Sequence, residues 1–450
     1  MILLRKLIQI GVISVMGIIA VLFSACQQAT SNAEIATTPA TIPVTRTSQP
    51  SQTPSVITPT PIVEPLTESQ PTTLTFWTVE PISSLAEEEI GGFVENNLRQ
   101  FERDNPGVSV ELQVKKTTGK GGVLDFLRTA GQVAPAILPD VAIINAVDLY
   151  QAQTEGLVQS LDGRLDRSIV QDLLPAARRM GTVDGTLVGV PLGLEMEHTV
   201  YNTLVFTDTP ILWTDILSKN SRYLFPAKGN NGVVNDATLA QYFSAGGVFQ
   251  DDEGNPKIDE PVLRNVLTFY QQASEQGIID ASLLEAATTE DTWPYYLEIP
   301  AGLSQVSVKQ FLTERDGLVD SDFAAVPISN ATATPVSVMH GWVFVLVTDD
   351  VNRQAAALKL IESFMSTRNN VTWNNINNSI PIRDSAFQQI SGDDPYWIFL
   401  GEQLNTARPE PRFTGYDRIG RIIQQAVEQV LRGEATADEA AATAVDALAQ

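Results

Sequence analysis

The chain has 450 residues, more than one hydrophobic core ordinarily serves, so two domains are expected. Its 43% hydrophobic content is that of a globular protein, and 29 basic against 53 acidic residues leave a net charge of −24, which argues against nucleic acid, whose phosphates need a basic face. The one cysteine, Cys26, excludes an intramolecular disulfide and a Cys-based zinc site.

The chain opens on a targeting pattern. Arg5 and Lys6 precede an apolar run from Leu7 to Ala25, followed by Cys26. Residues 1–25 resemble a bacterial lipoprotein signal, in which the cysteine is lipidated and becomes the new N-terminus. The sequence departs from that pattern at Phe23, where leucine is usual. The alternative is an uncleaved anchor, since about 20 apolar residues can span a bilayer; either reading exports the chain and ties it to a membrane. Residues 26–72 are dominated by Pro, Ser and Thr and lack the apolar surface to offset ordering entropy, so they are expected to be a disordered tether.

From Thr73 the pattern becomes that of an α/β domain. LTFWTV (74–79) reads as a strand. Ile90, Phe93, Val94, Leu98 and Phe101 recur at helical spacing, DNPG (104–107) stops that helix, and VSVELQV (108–114) alternates as a second strand, suggesting a parallel pair. VLDFLRTA (123–130) reads as a helix, PDVAIINAV (139–147) as a buried strand ending in a loop, and VDGTLVG (183–189) as a hairpin. GVPLGLEMEHTVYN (189–202) follows, with Glu195, Glu197 and His198 close together. FQDDEGNPKI is expected to be a small hairpin, AGLSQVSVKQF and WVFVLVT (342–348) strands. Ile419, Ile422, Ile423, Ala426, Val427, Val430 and Leu431 mark an amphipathic helix ended by Gly433, and Thr436 with Glu439 forms a capping box for the last one. KTTGKGG (116–122) lacks phosphate-loop spacing and DDEGN lacks the ligand alternation of a calcium loop, so no metal or cofactor is expected.

Several stretches line up in order with one family. LTFWTVE, FERDNPGVSVELQV, PDVAIINAVDLYQAQTEGLVQSLDG, GVPLGLEMEHTVYN, GWVFVLVTDDVNRQAAALKLIESFMS, IPIRDSAF and LRGEATADEAAATAVDAL resemble the extracellular solute-binding proteins of bacterial ABC importers, in particular the carbohydrate-binding group. The resemblance spans about residues 73–448. It implies a periplasmic-binding-protein type II fold: two α/β lobes joined by crossover hinge strands, with ligand in the cleft. Lobe one is expected at 73–187 and 337–374, lobe two at 188–336 and 375–450. The implied function is non-enzymatic: a lipid-anchored monomer, facing the periplasm or the cell exterior, that captures a mono- or oligosaccharide and passes it to an ABC permease.

A sugar offers hydroxyl rims and flat C–H faces, which call for carboxylates, amides, guanidinium groups and aromatic rings. The resemblance points to Trp77 at the end of the first strand, with core packing as its alternative, and to Asn145 and Asp148 after the PDVAII strand. Asp140 orders the start of that strand. Glu195 stands four residues after Pro191, where the family has a ligand-binding glutamate, and strand alternation puts Glu197 on the same face. His198 falls on the opposite face and reads as structural. His340 and Trp342 flank Gly341, where relatives carry a Gly-Gly-Trp sequence. Trp293, Tyr295 and Tyr296 form an aromatic cluster that stands in for a stacking platform, because the strand downstream has Val308 and Lys309 where relatives differ. Arg412 and Tyr416 precede the long C-terminal helix. Two other readings stay open: a surface-anchored sensor or adhesin on the same fold, and a glycosidase using Glu195 and Glu197. Glycerol phosphate and polyamines remain alternatives to sugar as cargo.

Overall fold

The computed structural model describes residues 71–230, 232–298 and 301–450. The signal segment, Cys26 and all of the tether except its last two residues lie outside the described residues. Among the described residues no helix is long and apolar enough to cross a membrane.

The first sheet grows from the pattern read in the sequence. β1 (Thr72–Val79) pairs in parallel with β2 (Val108–Lys115) and β3 (Val141–Asn145). Between β1 and β2 runs the helix Glu88–Asp104, which buries Ile90, Phe93, Val94, Leu98 and Phe101, the stripe that 3.6-residue spacing demands. Gly107, with φ +92, makes the turn into β2. Asp140 fixes the start of β3: its carboxylate accepts from Thr75 N at 2.7 Å and from Arg353 Nε at 2.6 Å. Asp184 and Gly185, both at positive φ, turn the expected hairpin between β4 (Thr182–Val183) and β5 (Thr186–Leu187), the combination a tight two-residue turn requires. β6 (Val190–Pro191) closes one edge of the first sheet.

The second sheet centres on β7 (Glu195–Asn202), antiparallel to β9 (Leu303–Ser307), which also pairs with β8 (Tyr223–Leu224). β10 (Ser321–Ala324) pairs with the far half of β7, and β11 (Val338–His340) with its near end; β13 (Arg408–Pro409) pairs with β11. β12 (Trp342–Leu346) belongs to the first sheet, antiparallel to β3 and β6. The strand orders are β2-β1-β3-β12-β6 and β13-β11-β7-β9-β8.

The chain therefore passes between the sheets twice at one place, between Pro191 and Glu195 and between His340 and Trp342. The lobe borders expected at 188 and 337 precede these passages by a few residues. The two crossings are packed backbone to backbone. A Cβ on Gly341 would stand 2.8 Å from the Gly193 carbonyl oxygen, and one on Gly193 would stand 2.7 Å from Ser379 Oγ, so neither position has room for a side chain. A third segment joins them: Leu194 and Ile380 exchange backbone hydrogen bonds at 2.8 and 2.9 Å. Asn370, fully buried, donates to Leu192 O at 3.1 Å and accepts from Ile382 N at 3.1 Å.

Two local expectations change. AGLSQVSVKQF is a strand only as far as Ser307, whose hydroxyl accepts from Gln310 N and starts the helix Val308–Glu314; a serine cap outweighs the β-branched valines around it. FQDDEGNPKI forms a single bridge, Gln250 to Pro256, in place of paired strands. At the C-terminus the amphipathic helix Tyr416–Leu431, Gly433 at φ +69 and the Thr436–Glu439 capping box are all present.

Candidate functional site

The first group of site residues follows from strand alternation. Met196, His198 and Val200 are buried on one face of β7, and Glu195 and Glu197 emerge on the other. His198 is fully buried. Its Nε2 meets Tyr396 Oη at 2.9 Å and its Nδ1 meets Thr199 O at 2.9 Å, and burial holds it neutral with a pKa lowered to about 4. It is a core residue, as expected.

His340 lies directly across from Glu195 in the β11–β7 pair, the position in which side chains of an antiparallel pair are direct neighbours. Its Nε2 is 2.8 Å from Asp236 Oδ2. Asp236 opens the helix Asp236–Ser244, whose cap is Asn235. Both side chains are about 30% exposed (31% and 30%), reachable by water yet surrounded by protein. Burial opposes the charged imidazole; the charge and hydrogen bond of Asp236, with Glu410 and Glu197 nearby, outweigh it and lift His340 to about 9.

The carboxylates respond in the opposite way. Burial, with Glu290 adding to it, lifts Glu195 to about 8 against the pull of Lys309 and His340. Asn377 Nδ2 donates to Glu195 Oε1 at a long 3.3 Å. Glu197 is also pushed well up, by burial first and then by Asp236, and its Oε2 is buried without a hydrogen-bond partner. Glu410 rises for the same reasons. Burying charge without full compensation drives a carboxyl towards its neutral form.

The cluster continues into a cavity of about 510 Å³ lined by Asp148, Tyr150, Glu410, Arg412 and Tyr416 among others. Asp148 comes from the loop after β3 and the other end of the cavity from the segment after β13; Tyr150 Oη and Thr414 Oγ1 meet across it at 3.3 Å. Burial raises Asp148 to about 6 despite Arg412 and Arg128, and burial lowers Arg412 to about 10. Arg412 Nε donates to Glu410 O, while Nη1 and Nη2 are buried without partners; the Tyr416 hydroxyl is directed at the Glu410 carboxyl.

The structure thus brings together six of the residues singled out in the sequence: Glu195, Glu197, His340, Asp148, Arg412 and Tyr416. Asn145 and Trp342 are paired opposite each other where β3 meets β12, one residue beyond the Gly341 passage; Asn145 Oδ1 also caps the turn that follows, accepting from Val147 N. Three other aromatic candidates are not brought to the cluster. Trp77 is 2% exposed, packed edge-on to Phe126 with Lys115 Nζ 4.4 Å from its ring, because the last four residues of β1 are all core. Trp293 donates to Glu314 at 2.7 Å and stacks on Tyr296. Tyr295, 53% exposed, lines a separate hollow with Arg222 and Leu224. The first turn of their helix, at Glu290, is the part whose charge reaches Glu195 and Glu197.

Asp236 and Glu410 were not among the sequence candidates. Asp236 reads in sequence as an acidic first-turn residue behind an Asn cap, a common helix start. Glu410 stands between Pro409 and Pro411, and that rigid Pro-Glu-Pro setting was the available signal. Among the described residues no group of three or more His, Cys, Asp or Glu is arranged to hold a metal.

The fold is similar to that of solved binding proteins. The cyclic α-maltosyl-1,6-maltose binding protein of Arthrobacter globiformis aligns with TM-score 0.69 at 18% identity, covering 84% of this chain and 98% of that one. The sugar-binding protein MalE of Xanthomonas citri aligns with TM-score 0.68 at 19% identity over 83% and 96%, and maltose-bound MalE3 of T. maritima with TM-score 0.66 at 18% identity over 84% and 99%. No curated protein sequence matches the chain. The model of the family described as bacterial extracellular solute-binding protein matches residues 98–397. That match covers two thirds of the sequence, and with the two crossover-linked sheets it makes the chain a member of the bacterial extracellular solute-binding protein family.

Proposed function

We propose that this protein captures a carbohydrate between two lobes and delivers it to an ABC permease, held to the membrane by a lipid on Cys26. Membership of an extracellular family implies export. The lobes, about 73–187 with 337–374 and 188–336 with 375–450, meet at the Gly193–Gly341 crossing. The observation that carries the reading is the convergence of Asp148, from the first sheet, with Glu410, Arg412 and Tyr416 beside the second, next to the Glu195–His340 pair. Hydroxyl-binding groups of both signs are thereby offered from two bodies hinged beside them, the arrangement that closes on ligand.

The same geometry speaks against hydrolysis. Glu195 and Glu197 lie on one face of one strand, whereas a glycosidase needs carboxyls on opposite sides of the scissile bond. The solved relatives named above bind maltose or cyclic maltosyl-maltose by their own descriptions, which makes glucose oligomers the first probes. Thermal shift and calorimetry on refolded, ligand-free protein against neutral sugars, amino sugars and polyols test the proposal. Binding at about 100 times Kd stabilises by ~2.7 kcal/mol, a shift readily seen; a folded protein that responds to none of them refutes it.

A further inference from the structure

A second cavity, of about 640 Å³, lies apart from the carbohydrate cluster: no residue lines both it and the hollow of Asp148 and Arg412. Arg179 and Arg408 stand in its wall with Phe243, and the exposed residues Thr334 and Asn405 are on its rim. Arg179 comes from the helix Pro175–Gly181 and Arg408 from β13, so the fold brings together two like charges from distant parts of the sequence. Among the described residues no aspartate or glutamate lines this cavity, although the chain has 53 acidic residues against 29 basic ones.

Each arginine has a contact within the chain. Arg179 Nη2 donates to Leu404 O at 2.6 Å and to Ala407 O at 3.1 Å, at the end of the helix Pro395–Thr406, where the helix dipole favours a cation. The Arg408 guanidinium lies 5.4 Å from the ring centroid of Phe243, a cation–π contact. The first contact uses one nitrogen of Arg179, and the second supplies no anion. Arg179 Nε is buried without a partner, and among the described residues neither guanidinium is paired with a carboxylate. Burial lowers the pKa of Arg179 and Arg408 lowers it further, so the two charges act against each other.

We propose that this cavity binds a phosphate-class oxyanion between Arg179 and Arg408. A guanidinium presents its N–H groups in a planar fork that fits two oxygens of a phosphate or sulfate, and such charge-assisted bonds are about twice as strong as neutral ones. A doubly charged oxyanion gives the buried Nε an acceptor and offsets both cations at once, while its outer oxygens can accept from Thr334 and Asn405 on the rim. A neutral sugar leaves both charges in place, and a lone carboxylate offsets only one. The cavity is larger than one small ion fills, so it admits the group either as free phosphate or as the end of a small organic phosphate.

Calorimetry and thermal melting of the folded, ligand-free protein test this, with sodium phosphate, sodium sulfate and glycerol 3-phosphate each set against sodium chloride of matched ionic strength. Phosphate is expected to bind at one site and to raise the melting temperature saturably where chloride does not. Arg408→Gln changes an exposed side chain and should weaken that binding roughly tenfold. Arg179→Gln should weaken it further; it also gives up two carbonyl contacts, so its fold is checked by circular dichroism, and Arg408→Gln decides the matter if it does not fold. Tighter binding of glycerol 3-phosphate than of phosphate identifies an organic phosphate as the occupant, and equal binding identifies the free ion; both support the site. No saturable effect of any of the three beyond that of chloride overturns it, as does one that Arg408→Gln leaves intact. Neither arginine lines the Asp148 cavity, so the result is independent of which sugar binds there.

Discussion

Replacing Glu195 by glutamine tests whether the cluster holds its protons. Glu195 titrates at about 8 in the folded protein, from an ordinary 4.5, chiefly because it is buried. A carboxyl whose folded pKa lies above its unfolded one adds stability that is complete below pH 4.5 and is lost as pH rises through 8, since the unfolded chain gives up its proton first. At about 1.4 kcal/mol per tenfold change in proton affinity, the ceiling of that loss is about 5 kcal/mol. The side chain is partly open to the cleft and water relaxes part of the penalty, so about 2 kcal/mol is the expected size. Glutamine keeps the oxygen that accepts from Asn377 and cannot ionise. At pH 5 the variant and the parent should therefore be equally stable to within ~0.5 kcal/mol, and at pH 9 the variant should be the more stable by about 2 kcal/mol. Urea denaturation at the two pH values, with m held common, measures the difference. Equal offsets at both pH values, or a variant weaker at pH 9, would show that Glu195 is ionised at neutral pH and that the cluster is already compensated.

Other sites give independent checks. His198 has the opposite sign: its folded pKa of about 4 lies below the ordinary 6.5, so its contribution is present above pH 6.5 and lost as pH falls towards 4. A His198→Gln variant should start ~2 kcal/mol weaker at pH 7 and show a shallower loss of stability between pH 6.5 and 4 in the same urea experiment. Asn370→Ala strands the Leu192 carbonyl and the Ile382 amide beside the crossover; a loss of about 3 kcal/mol by chemical denaturation is expected. Asp140→Ala removes a carboxylate only 3% exposed that holds Thr75 N and Arg353. Because Arg353 is 35% exposed and can turn to water, the cost should be about 2–3 kcal/mol, below the full price of a stranded buried charge.

How much of this was legible in the sequence depended on whether the signal was local. The strand–helix–strand start, the Asp-Gly hairpin, the last capping box and the inside–outside split of β7 all rest on spacing within a few residues, and each is found in the structure. The helix after Ser307 was missed because a single capping hydroxyl decided it. The site was legible only in halves. Alternation put Glu195 and Glu197 on one face, but nothing in MHGWVF says that His340 lies opposite Glu195; that register is set where two strands cross between sheets at Gly193 and Gly341. Two aromatic candidates fall in packing for a related reason: Trp77 sits where β1 is buried on both faces and Trp293 on the buried side of its helix, and ring type alone does not separate a sugar platform from packing. Asp236 and Glu410 acquire meaning only from the residue they share, His340. Beside them the cavity adds Arg412, with two buried amino groups that have no partner, and Asp148, whose carboxyl is raised by burial to about 6 and is still mostly charged at neutral pH, a set of both signs suited to gripping a polar ligand.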